Sequence, residues 1–97
     1  MNEQRVYFYS LLDKPMNFFA PPFLASSDAD AKRMVRDSIE PGSILSRYPA
    51  DYHLYRLGSM SSVKGIDDVF QDCVCSVNDI IRDDVRRPDG EEVPDGE

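Results

Sequence analysis

Residues 47–58 read RYPADYHLYRLG, and this stretch decides how the second half of the chain folds. The Tyr-Pro step predicts a turn, because proline restricts its own φ and biases the preceding residue away from the helix. The aromatic and branched residues that follow predict a strand from Tyr52 to Leu57, after which Gly58 can stop the strand or start a hairpin. A strand that mixes tyrosines with arginines suits either a sheet face that touches nucleic acid or an ordinary half-solvated strand.

The segments on either side of this strand predict a small α+β domain. Residues 5–12 read RVYFYSLL, which predicts a strand covered on both faces. Residues 17–24 predict a second, antiparallel strand that Pro21 and Pro22 confine to a sheet edge or make irregular. Apolar residues recur at helical spacing from Ala31 to Ile39, behind capping oxygens at 26–28. A fourth strand is predicted through residues 73–77, with residue 81 as its furthest end.

The predicted order is therefore strand, strand, helix, strand, strand. One main helix packs on one face of a small antiparallel sheet, and the other face meets water, a second subunit or a ligand. We expect a single domain over residues 1–82. Residues 83–97 form an acidic tail rich in proline and glycine, which we expect to be disordered because it cannot bury enough apolar surface.

Charge is segregated along the chain. The net charge is −7, yet residues 32–64 hold six basic and three acidic residues, whereas residues 83–97 hold seven acidic and two basic residues. Overall acidity argues against tight, sequence-independent DNA binding by a lone monomer, although a local basic face remains open. The sequence has no run of about 18 apolar residues, so it predicts no membrane span. The two cysteines suit reduced thiols in a cytoplasmic protein.

Catalytic and metal-binding patterns are weak. His53 is the one histidine, and no spacing pairs it with a nucleophile. No glycine-rich phosphate loop is present. Cys73 and Cys75 fall short of the four ligands of a structural zinc site. We therefore expect no enzyme activity, no metal and no cofactor.

Nucleic-acid binding is the more interesting possibility, because a base stacked on an aromatic ring contributes about 1–3 kcal/mol whatever the base. Tyr52 and Tyr55 differ in strand parity, so a regular strand shows only one of them on each face. The alternative is that the tyrosines fill core and subunit contacts while the arginines are ordinary surface residues. The candidate nucleic-acid-binding residues are Arg33, Arg36, Arg47, Tyr52, Tyr55 and Arg56.

Three stretches together resemble a known family: APPFLASSDADAKR at 20–33, PGS at 41–43 and YPADYHLYRLG at 48–58. They resemble a small nonstructural protein of gokushovirus-type Microviridae, phages with circular single-stranded DNA genomes. The resemblance implies a role in genome synthesis or packaging, through binding of single-stranded DNA. We expect the protein to act in the host cytoplasm as a homo-oligomer, because a chain of 97 residues has a small core. The alternative is a protein–protein module that acts on a host replication factor or on capsid assembly without touching DNA.

Overall fold

The computed structural model describes residues 3–86, with side chains through residue 83. Five strands form one antiparallel sheet in the order β2-β1-β4-β5, and β3 also pairs with β1. The strands are β1 (Arg5–Asp13), β2 (Phe18–Phe19), β3 (Phe23–Ala25), β4 (Tyr52–Ser61) and β5 (Gly65–Ser76). The helices are α1 (Asp28–Ser38), α2 (Ile44–Arg47) and α3 (Val77–Arg86), with a 3-10 turn at Pro49–Asp51. The predicted α+β class is confirmed.

The predicted second strand is split into β2 and β3 by Pro21 and Pro22. Proline has no N–H to offer a strand ladder, so the chain leaves the sheet there and returns to it at Phe23. Both pieces pair antiparallel with β1, with Phe19 opposite Leu12 and Phe23 opposite Tyr9. They lie at the edge of the sheet, as the prolines predict.

The core lies between the sheet and the helices. Tyr9 and Leu54 are fully buried on the sheet side, and the ring of Tyr9 stacks on Phe23 with centroids 5.9 Å apart. Ala31 and Val35 of α1 pack against them. Helical spacing in the sequence predicts that these two residues share the apolar side of α1. The sequence also predicts the start of the helix, where Ser27 Oγ accepts the Asp30 N–H at 3.1 Å. Met34, which the same spacing places on the apolar side, is instead 44% exposed.

The last element is a helix that the sequence analysis missed. The strand ends at Ser76, so the prediction of strand to residue 81 is wrong beyond that point, and residues 83–86 of the predicted tail are helical. Ser76 Oγ accepts the Asp79 N–H at 3.0 Å, and the Asp79 carboxylate accepts the Ser76 N–H at 3.3 Å. This reciprocal cap starts a helix whose Val77 and Ile80 are buried. The rest of the predicted tail, residues 87–97, lies outside the described residues.

The β4–β5 hairpin is longer than predicted. β4 runs on through Gly58 to Ser61, and β5 begins at Gly65 rather than near residue 73. Ser61 Oγ accepts the N–H groups of Val63 and Lys64 at 3.2 and 2.8 Å, which shapes the turn at 62–64. A positive φ of 76° at Gly65 completes the turn, and glycine adopts that conformation without steric cost.

The sheet surface opposite the helices, which we call the helix-free face, follows from the strand register. Tyr9, Leu11 and Leu54 point toward the helices, so the alternate residues point the other way. The aligned rows of that face are Val6–Met60–Ile66, Leu24–Phe8–Gly58–Val69, Ser10–Tyr55–Cys73 and Phe19–Leu12–His53–Ser76. None of the helices within residues 3–86 is long and apolar enough to cross a membrane.

Candidate nucleic-acid interface

Two adjoining cavities open between the helices and the edge of the sheet formed by β2 and β3, and Leu11 and Ala20 line both. The first, of about 270 Å³, is walled by α1 and by the proline-containing segment between β2 and β3. The second, of about 320 Å³, is walled by α2, β2 and the first residue of β4. The remaining lining residues of the second cavity are Asp13, Phe18, Ile44, Leu45 and Tyr52. The walls are mostly apolar, so they suit rings or aliphatic groups.

Two exposed aromatic residues belong to the segments around the second cavity, and one of them, Phe18, lines it. Phe18 is 65% exposed, and Tyr48, one residue beyond α2, is 55% exposed. The Arg47 guanidinium lies over the Tyr48 ring, 5.9 Å from its centroid. The backbone N–H of Lys14 donates to the Asp51 carbonyl at 3.0 Å, which joins the β1–β2 turn to the 3-10 turn. We call Lys14, Phe18, Arg47 and Tyr48 the aromatic edge.

The local sequence explains why Arg47 and Tyr48 are exposed at the end of α2. Ser43 Oγ accepts the Ser46 N–H at 3.3 Å and so caps the start of α2. Pro49 prevents the helix from continuing and occupies the first position of the 3-10 turn. Arg47 and Tyr48 are therefore held at the end of a one-turn helix, with their side chains exposed.

The two predicted arginines of α1 do not form a cationic face. Arg33 Nη2 lies 2.7 Å from Asp30 Oδ1 on the exposed side of the helix, and Arg36 Nε lies 3.5 Å from Asp37 Oδ1. The helix holds three acidic and three basic residues, so its formal charges cancel. The Asp30 pKa is lowered, first by a hydrogen bond from Ser26 and then by Arg33. α1 by itself offers phosphates little attraction.

Arg56, another predicted site residue, is partly buried and contacts neighbouring rings and carboxylates. Its guanidinium lies between the rings of Tyr7 and Phe70, 5.2 and 5.4 Å from their centroids. It also lies within ion-pair distance of Asp28 at 3.7 Å and Asp72 at 3.6 Å. This side chain connects β4 to β1, β5 and α1. Its charge is therefore already used in contacts within the protein.

The predicted tyrosines lie on opposite faces of the sheet, as their parity requires. Tyr52 points toward the helices, donates a long 3.4 Å hydrogen bond to Asp13 and lines the second cavity. Burial, followed by the charge of Asp13, raises the Tyr52 pKa. Tyr55 lies on the helix-free face and meets Phe19 edge-on, with centroids 5.5 Å apart. The two phenols therefore cannot stack on the same run of bases.

Of the six predicted residues, Arg47 belongs to the aromatic edge and Tyr52 lines the cavity beneath it. Sequence reasoning missed Lys14, Phe18 and Tyr48. Their common signal is position: each lies within three residues of Pro15 or Pro49, where a strand or helix ends and side chains project outward.

The reactive groups give no support for nucleophilic chemistry. Cys73 and Cys75 are free thiols, and burial raises the pKa of Cys75 to about 11, the opposite of an activated nucleophile. His53 Nδ1 is buried without a hydrogen-bond partner among the described residues. Within that same part of the chain, no three His, Cys, Asp or Glu side chains cluster as metal ligands do.

A family model described as Phage ORF5 protein matches residues 6–80, a span that runs from β1 into the first turn of α3. Neither a curated protein nor a solved structure matches the chain significantly.

Proposed function

The chain belongs to the Phage ORF5 protein family, and on that premise we propose that it binds single-stranded DNA during genome synthesis or packaging. The phage is then a gokushovirus-type member of the Microviridae, and the protein acts in the host cytoplasm. The observation that carries the proposal is the pair at the end of α2 within the aromatic edge, where the exposed Tyr48 ring lies beside the exposed Arg47 guanidinium.

Stacking is the physical basis of the proposed binding. The Tyr48 and Phe18 rings are both more than half exposed, so a base can lie against either without any rearrangement of the core. Arg47 and Lys14 supply charge for the phosphates that flank a stacked base. An unpaired strand suits this edge better than a duplex, because only unstacked bases offer their faces to a side chain.

The net charge of −7 sets the conditions for this binding. Long-range repulsion between an acidic protein and DNA weakens association, so stacking has to contribute a larger share than in a basic DNA-binding protein. We therefore expect modest affinity with a shallow dependence on salt. Each phosphate contact on a single strand changes the slope of log K against log salt by only about 0.7.

The test is a fluorescence-anisotropy titration of a labelled oligothymidine with the full chain at low salt. Tyr48→Ala removes one stacking ring and is expected to weaken binding about tenfold, which corresponds to about 1.4 kcal/mol. Arg47→Ala is expected to weaken binding and to reduce the salt slope. Arg82→Ala is the matched control, because it removes one exposed arginine, paired with Asp79, from α3 instead.

Binding that Tyr48→Ala and Arg82→Ala weaken equally would contradict a specific role for the aromatic edge. No binding by the wild-type chain at low salt would contradict the proposed function as a whole. A circular-dichroism melt of each variant verifies that the fold is retained, which is expected because Arg47, Tyr48 and Arg82 are all exposed.

The alternative is a protein–protein module that acts on a host replication factor or on capsid assembly. The observation that favours it is the apolar lining of the two cavities, with Met16, Phe18 and Ile44 exposed nearby. A pull-down from infected cells separates the two proposals. A partner that survives nuclease treatment and is lost in Ile44→Lys supports the module, whereas a partner released by nuclease supports DNA binding.

A further inference from the structure

The helix-free face lacks charge. Its four aligned rows contain no Asp, Glu, Lys or Arg, although charged residues make up 30% of the chain. At that frequency about four of the fourteen aligned positions would be charged. Antiparallel sheets with one solvated face normally alternate apolar and polar residues. The aligned positions of the helix-free face do not alternate in this way, since they carry no charge, so we expect this face to be covered.

Part of that face is covered by the chain itself. Near β2, the Phe19 and Tyr55 rings meet, and Ser10 is fully buried with its hydroxyl donating to the Ala20 carbonyl at 2.6 Å. The other end of the face is open. Val69 is 78% exposed, Ile66 is 65% exposed and Leu24 is 47% exposed. The open part consists of Val6, Phe8, Leu24, Met60, Ile66 and Val69, all on the same side of the sheet.

We propose that the helix-free face packs against the same face of a second copy of this chain, giving a two-fold dimer of two sheets with the helices outside. Sheets pack face to face through such apolar side chains, with their strands rotated by about 30°. Because the face carries no charge, two copies can meet there without opposing like charges, even though each chain carries −7.

The dimensions of the face fit such a dimer. The rows extend from Val6 to Leu12, roughly 20 Å along the strands, and cross four strand positions, roughly 14 Å between the outer axes. With side-chain margins the whole face covers roughly 700 Å². The open rows make up about half of this area, and half-exposed side chains such as Phe19 and Tyr55 present the rest to a partner. A standard stable interface buries about 800 Å² per partner, and the lower end of that class is about 600 Å².

Other occupants fit less well. Single-stranded DNA needs cations for its phosphates, and the face has none. The acidic residues 87–97 likewise find no basic partner there. Edge-to-edge pairing through β5 is disfavoured, because this edge strand contains Asp67, Asp68 and Asp72. Charged side chains on an edge strand oppose pairing with another strand. A second copy needs only the apolar contact that this face provides.

The dimer is independent of DNA binding, because it uses the opposite side of the sheet from the helices and the cavities. A failure of the anisotropy experiment therefore leaves this proposal standing. Conversely, a monomeric protein could still bind DNA through the aromatic edge.

Light scattering after size exclusion tests the proposal on the full chain. The wild type is expected at twice the 11.0 kDa of one chain. Val69→Lys and Ile66→Lys introduce a charge on the open face at side chains already exposed, so each is expected to raise the dimer dissociation constant at least tenfold. Val63→Lys is the matched control, since Val63 is 70% exposed but lies in the turn at 62–64, off the face.

A monomeric wild type overturns the proposal. So does a dimer that Val69→Lys and Ile66→Lys leave intact, or one that Val63→Lys weakens equally. If circular dichroism shows that a variant is unfolded, the test uses NMR on a mixture of isotopically labelled and unlabelled wild-type chains instead. Intermolecular NOEs to the Val69 and Ile66 methyl groups support the dimer, and their absence from a species of doubled mass overturns it.

Discussion

Gly58→Ala tests whether the close approach of β4 and β5 requires a residue without a side chain. An alanine Cβ at this position would lie 2.5 Å from the Asp68 carbonyl oxygen and 3.5 Å from the Val69 Cα. Contacts of Cβ below 3.0 Å are essentially never seen, and the obstructing atom belongs to the backbone. A side chain could rotate away, but a backbone atom can only be avoided if the two strands move apart.

The expected loss can be worked out from this geometry. Overpacking a well-packed interior costs about 1–3 kcal/mol, and an obstacle in the backbone places the cost near the upper end, at about 3 kcal/mol. For a domain of 60–100 residues, each kcal/mol lowers the melting temperature by about 4–8 °C. Gly58→Ala is therefore expected to lower it by about 12–24 °C.

Gly42→Ala is the matched control. Nothing lies within 4 Å of a Cβ at Gly42, and the only penalty comes from its φ of 79°. A left-handed conformation costs a non-glycine residue about 1–2 kcal/mol. Thermal and urea unfolding are followed by circular dichroism at one protein concentration. If Gly58→Ala is no less stable than Gly42→Ala, the reasoning from strand approach is refuted.

Two further predictions concern single hydrogen bonds. Tyr9→Phe is expected to lower the free energy of unfolding, measured by urea titration, by about 1–2 kcal/mol. The reason is that the buried phenol donates a hydrogen bond to the half-exposed Asp28 carboxylate at 2.6 Å. An unchanged free energy of unfolding would contradict a stabilising role for this bond. The Asp79 pKa is lowered, chiefly by the hydrogen bond from the Ser76 backbone N–H, so its contribution to stability is complete above the ordinary value of 3.8 and is lost as the pH falls through the lowered pKa. The stability advantage of the wild type over Asp79→Asn should accordingly shrink below pH 3.8, and an advantage that does not change with pH would argue against the cap.

The elements that the sequence predicts well are those whose signal is local. Ser27 is predicted as a helix cap by its residue type, and the buried Ala31 and Val35 follow from helical spacing. Pro21 and Pro22 predict the edge position of the strand at 17–24, although not its division into β2 and β3. Helix α3 was missed because its apolar residues continue directly from a strand. The serine and aspartate that cap its start resemble ordinary surface polar residues when read without coordinates.

The candidate interface was only partly predictable, because long-range contacts decide which charges are available. Arg56 looks like a phosphate ligand in the sequence, yet it lies between Tyr7 and Phe70. Arg5 pairs with Asp67 at 2.5 Å across 62 residues. No local pattern reveals such partners, whereas Arg47 was predictable because its neighbour Pro49 ends the helix and leaves the side chain outside.

The central position of β1 has a consequence for how the newly made chain behaves on the ribosome. β2 and β3 align with only five residues of this strand, whereas β4 aligns with nine. At about 5–20 residues per second, translation from Asp13 to Ser61 takes roughly 2–10 s. For that interval the hydrophobic segment RVYFYSLL emerges without its main partner and is open to chaperones or to aggregation. Slower initiation, which lowers the number of chains waiting at one time, should therefore improve the soluble yield of this protein more than that of a helical protein of equal length, whose contacts close locally.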